Sequence, residues 1–119
     1  MKTTIKFVSL LVIILFIGCK PETQFFWGNY SKTLYDYKKN PDDKTLAEHK
    51  KSLTEIILQS SKKHKPVPPG VYAELGYLTV REGNETEGNE YFKKEMLYYP
   101  ESKVFIEKLL NELHPGESK

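Results

Sequence analysis

The chain has 119 residues, with 18 Lys and Arg against 16 Asp and Glu and a composition that is 39% hydrophobic and 13% aromatic. That length suits one small domain and excludes two independent cores, and the apolar and aromatic content excludes a disordered chain. Lys2 and Lys6 belong to an amino-terminal segment that reads as an export signal; without them the balance is 16 to 16, so the basic footprint of a nucleic-acid binder is missing. One cysteine excludes an internal disulfide framework and a Cys-rich zinc site.

Phe7 to Ile17 forms an apolar run of 11 residues, interrupted only by Ser9. As a helix it would span about 16 Å, short of the ~20 residues needed to cross a bilayer but right for a signal-peptide core. It has no polar face, which excludes a buried amphipathic helix. The run ends in Phe16-Ile17-Gly18-Cys19. This resembles the lipobox of bacterial lipoproteins: Gly18 and Cys19 match, Ile17 is tolerated, and Phe16 replaces the usual Leu. The resemblance implies that residues 1–18 are cleaved as a lipoprotein signal peptide. It also implies that the Cys19 thiol carries a diacylglycerol and that the new amino group is acylated. Three such chains, at ~0.8 kcal/mol per buried methylene, would make release from a bilayer negligible. Lys20 stands where Asp retains Gram-negative lipoproteins in the inner membrane, which implies a lipid anchor in the cell outer membrane, on its periplasmic face.

Residues 19–24 form the lipidated cysteine and a short tether, spanning at most about 20 Å. The domain is therefore expected to lie against the bilayer. Phe25-Phe26-Trp27 then either dips into the lipid interface, where Trp is favoured, or packs as core; the needs of a small core favour packing.

Five helical stretches follow and no strand pattern stands out, so the expected fold is all-α. Tyr30, Leu34 and Tyr37 mark a helix over 29–39. Asn40-Pro41-Asp42-Asp43 restarts the chain, with Asn40 as a cap and Pro41 in the first turn. The second helix runs to about Lys63 on a stripe of Leu46, Leu53, Ile56, Ile57 and Ser60. Lys62, Lys63, His64 and Lys65 close it, where cations offset the negative end of the helix dipole. Pro66-Val67-Pro68-Pro69-Gly70 leads into helices over 71–82, 85–99 and 101–113, the last carrying Val104, Phe105, Leu109, Leu110 and Leu113. Residues 114–119 read as a disordered tail.

From Pro69 to Ser102 the chain resembles one tetratricopeptide repeat, a 34-residue pair of antiparallel helices. Tyr72 stands at the usual Trp, Leu75-Gly76 matches Leu-Gly, Gly83 the turn, Phe92 the second-helix aromatic and Pro100 the closing proline. Thr79, Gly88 and Glu95 depart from the pattern, Gly88 keeping the small size of the usual Ala. If Gly88 has room, Ala there should stabilise the helix by a few tenths to about 1 kcal/mol. The resemblance implies tetratricopeptide-like hairpins over 25–113 with a C-terminal capping helix. It also implies a concave partner-binding groove facing Ala73, Tyr77, Val80 and Arg81, unless Tyr77 and Val80 pack on the first helix instead.

Trp27-Gly28-Asn29-Tyr30, Leu34-Tyr35-Asp36-Tyr37 and Pro68 to Gly76 further resemble a family of small uncharacterised bacterial lipoproteins. Members tend to be encoded beside a lipoprotein similar to the curli secretion channel. This implies a partner lipoprotein in an envelope assembly, and no catalytic residue. His49, His64 and His114 have no ligand spacing, and His49 is expected on the solvent side of its helix. No phosphate loop or nucleophile–base context appears. The expected function is a non-enzymatic protein-binding adaptor, with no metal, cofactor or nucleic acid. The alternative is a module binding a small ligand, a lipid or a cell-wall fragment.

Overall fold

The computed structural model describes Met1 and residues 22–114. Most of the expected signal peptide, the lipidation site Cys19 and the tail residues 115–119 lie outside the described residues. Among the described residues the fold is all-α: α1 Tyr30–Lys39, α2 Asp43–Lys62, α3 Val71–Arg81, α4 Glu85–Tyr98 and α5 Lys103–Leu113, with a short 3₁₀ turn at Pro100–Ser102 before α5.

Local chemistry sets these boundaries. The α2 cap is Asp42 and not the expected Asn40. The Asp42 carboxylate accepts from Thr45 N at 2.8 Å while Thr45 Oγ1 accepts from Asp42 N at 3.2 Å, a reciprocal capping box that Asn40 has no Thr partner to form. These Thr45 hydrogen bonds hold the Asp42 carboxyl below its usual range. Gly83 ends α3 at φ +93°, with Gly83 N donating to Val80 O and Asn84 N to Thr79 O, the paired bonds of a Schellman stop. Asn84 then caps α4 by accepting from Glu87 N.

Helix α3 is central: eight of its 11 residues are buried, so it has no polar face to spare. On one side Val71, Leu75 and Leu78 join Leu53 and Ile56 of α2, with Phe26 and Tyr30 packed against them. On the other, Ala73 and Val80 join Phe92 of α4 and Ile106 of α5. The aromatic triplet is thereby divided: Phe26 packs on the core, Phe25 is half-buried, and Trp27 remains 42% exposed. In α5 the anchoring residue is Ile106, whereas Val104 and Phe105, both expected on the apolar face, are exposed.

Helices α3 and α4 run antiparallel, since Gly70 and Ala73 meet Glu95, Gly76 meets Phe92, and Val80 meets Gly88. Two glycines make this approach possible. A Cβ on Gly76 would sit 2.9 Å from the Gly88 carbonyl oxygen and from the Phe92 ring. A Cβ on Gly88 would overlap the Val80 side chain and lie 2.8 Å from the Gly76 carbonyl oxygen. The expected room for an alanine in place of Gly88 is therefore absent, and the expected stabilisation reverses sign.

Glu95, where the repeat pattern has Ala, is 1% exposed and reaches across from α4 to the start of α3. Its carboxylate accepts from Gly70 N at 2.7 Å and Ala73 N at 3.3 Å. Gly70, the N-cap at φ +91°, has no side chain to do this, so α4 supplies the cap that α3 lacks.

Candidate functional site

The first residue of interest is one placed against expectation. His49 is fully buried, because the spacing Leu46, His49, Leu53, Ile56, Ser60 puts it on the apolar stripe of α2. Its ring lies between Tyr37, stacked at 6.2 Å, and Tyr30, tilted at 5.5 Å. Its Nδ1 is 2.9 Å from Thr33 Oγ1 and its Nε2 is 2.8 Å from Glu74 Oε1. The Tyr30 hydroxyl donates to the other Glu74 oxygen at 2.8 Å. Desolvation, reinforced by that Glu74 hydrogen bond, pushes the Tyr30 hydroxyl well above the ordinary tyrosine range.

Thr33, His49 and Glu74 share the order of a nucleophile–base–carboxylate relay, but the setting does not serve that chemistry. Thr33 Oγ1 also lies 3.1 Å from the Tyr30 carbonyl of its own helix. The peptide N–H of Thr33 is spent on Asn29 O, so it is not free to hold an oxyanion. The cluster ties α1 and α2 to α3.

On the outer side of this tie runs a groove of about 390 Å³ bordered by α1, α3 and α5. Trp27, Tyr30, Leu34, Tyr77, Phe105 and Leu109 line it. Lys38 and Glu74 supply its charges. Trp27 and Tyr30 pack ring to ring at 5.2 Å, and Phe105 is 54% exposed.

The four residues expected to face a groove are separated by α5. Ala73 and Val80 lie beneath it, buried with Phe92 and Ile106, so they are closed to a partner. Tyr77 lines the groove. Arg81 is exposed and sits over the Tyr77 ring at 5.7 Å, beside a smaller recess formed with Tyr37, Leu46, Leu78 and Glu82. The open surface therefore lies to one side of the expected one. Phe105 had no separate signal in the sequence, because Val104, Phe105 and Ile106 are consecutive and helical spacing does not choose among them.

A second recess of about 630 Å³ opens near the amino-terminal segment, between the carboxyl ends of α2 and α4. Phe25, Ile57, Val67, Tyr72, Tyr98 and Tyr99 line it. Tyr72 and Tyr98 stack at 5.9 Å, and the Tyr99 hydroxyl donates to Val67 O at 2.5 Å. Among the described residues no group of three or more His, Cys, Asp or Glu is placed to hold a metal ion, and no helix is long and apolar enough to cross a membrane.

A family model described as a domain of unknown function, DUF4810, matches residues 25–109. The chain belongs to this family. No curated protein and no solved structure matches it. The DUF4810 region holds every residue that lines the groove, from Trp27 to Leu109, and begins six residues beyond Cys19.

Proposed function

We propose that this DUF4810 protein is a lipoprotein, anchored through Cys19 in the outer membrane, that acts as a non-enzymatic adaptor. Its groove would hold an apolar helix or extended segment of a partner lipoprotein in an envelope assembly. In this reading α1–α2 and α3–α4 are tetratricopeptide-like hairpins and α5 is the capping helix, so the groove lies along the first helix of each pair.

The observation that carries the reading is the exposure of Trp27 and Phe105 on the two walls of one groove. Large aromatics left in water along a shared concave surface are characteristic of interaction sites. Lys38 at its border would offer a cation to an acidic group on the partner.

The test is recovery of the partner from detergent-solubilised envelopes. A second lipoprotein should co-purify in fixed stoichiometry with the native chain and be lost with Phe105→Glu, whose unfolding free energy should stay within about 0.5 kcal/mol of native because Phe105 is exposed. Undiminished recovery with that variant contradicts the groove assignment. The 630 Å³ recess supports one other reading, a small apolar ligand, since its size and aromatic lining suit such a molecule. A bound lipid co-purifying without any protein would favour it.

A further inference from the structure

The helix starts and stops gather on two ends of the bundle. At one end α3 and α5 begin and α2 and α4 finish, as the contacts of Glu95 with Gly70 and Tyr99 with Val67 require, and Tyr30 at the start of α1 meets the first turn of α3. The amino-terminal segment is fastened to this same end. Lys65 Nζ donates to Thr23 O at 2.6 Å and lies 3.5 Å from the Glu22 carboxylate. Lys63 Nζ sits over the Phe26 ring at 5.6 Å.

We propose that this end, through Lys62, Lys63 and His64 with Trp27 at its edge, rests on the anionic headgroups of the bilayer that holds Cys19. The proposal rests on the lipid anchoring above and adds the face and the lipid chemistry. Glu22 stands only three positions beyond Cys19, a reach of about 10 Å, which is close to one Debye length in physiological salt. An anchored chain held by Lys65 at Glu22 and Thr23 therefore brings this end nearest the lipid.

The charges at that end suit anionic headgroups. Lys62, Lys63 and His64 are exposed; Lys103 at the start of α5 is exposed too but lies 3.9 Å from Glu107, Glu22 is engaged by Lys65, and Glu101 is exposed. The acidic first turns of α2 and α4, with Asp43, Glu85 and Glu87, lie at the opposite end. Trp27 borders the groove as well as this end, so a partner anchored in the same bilayer would meet the groove at its mouth.

Trp27 is the single tryptophan of the chain and reports its own surroundings. The mature chain, residues 19–119, would be coupled through its Cys19 thiol to a maleimide lipid in phosphatidylcholine vesicles, with or without phosphatidylglycerol. This makes the outcome independent of whether the cell lipidates Cys19, which the intact mass of membrane-purified protein decides separately. With phosphatidylglycerol present, Trp27 emission should shift to the blue and be quenched by brominated lipid. A Lys62→Glu, Lys63→Glu variant should lose more than half of that quenching with its helical circular dichroism unchanged. Emission equal to that of the uncoupled chain, or equal quenching without phosphatidylglycerol or in the double variant, would overturn the proposal.

Discussion

At the scale of single residues, the helix interior is governed by two side chains and one missing one. The Glu95 carboxylate is buried against the first turn of α3, where peptide N–H groups and the positive end of the helix dipole stabilise it. Glu95→Gln keeps the shape but places an amide NH₂ where one oxygen accepts, and loses the charge. It should cost about 1–3 kcal/mol in urea unfolding; an unchanged midpoint would show that α3 is capped by other means. Gly88→Ala should destabilise by about 1–3 kcal/mol, because the new methyl meets Val80 and the Gly76 carbonyl in a backbone contact that has nowhere to move. A gain in stability would mean that the two helices pack less closely than described. Glycine at a repeat position reads equally well as an Ala substitute or as a contact point, and only the distance to the facing helix separates the two. His49 was open to reading: its place between Leu46 and Leu53 puts it on the stripe, and polarity alone suggested the solvent side. Its partners, Thr33 and Glu74, come from other helices and have no local signature.

At the scale of the element, the helix boundaries follow from short-range chemistry, and for that reason they were legible to within a residue or two. Pro41 and the acidic pair restart the chain before α2, Gly83 stops α3, and Pro100 ends α4. The end of α2 is a less ordinary device. His64 N donates to Ser61 O and Lys65 N to Ser60 O, the Schellman pattern of α3 again, but the left-handed position is held by His64 at φ +53°. A residue with a Cβ is strained there, and glycine is not. His64→Gly should therefore stabilise the fold by roughly 0.5–1 kcal/mol, read as a higher thermal midpoint; a lower midpoint would contradict the local geometry. The face of α5 was less legible. Val104, Phe105 and Ile106 are consecutive, helical spacing allows more than one of them to face inward, and the choice depends on how α5 lies across Ala73 and Val80.

At the scale of the whole molecule, the all-α architecture was evident from the periodicity of every stretch, whereas the position of the groove was not. That position is set by α5 covering part of α3, a long-range contact between residues about 30 apart in the chain. The result is a small body of which one end and one side have different duties in the proposed account. The end carrying the amino-terminal segment would face lipid, and the groove beside it would take a partner. The part-buried tie of Thr33, His49 and Glu74 joins the groove's α1 wall to its α3 floor, which favours a groove formed before an occupant arrives. A preformed site of this kind loses little conformational entropy on binding.

The most direct measurement is photo-crosslinking in intact cells with a benzoylphenylalanine placed at position 105 in the groove and, in a second strain, at Leu58 on the exposed face of α2. Both positions are exposed and outside the core, so both chains should fold. The account predicts one discrete protein adduct from position 105, identified as an envelope lipoprotein, and none from position 58. Adducts of equal strength from both positions, or none from position 105, would contradict it.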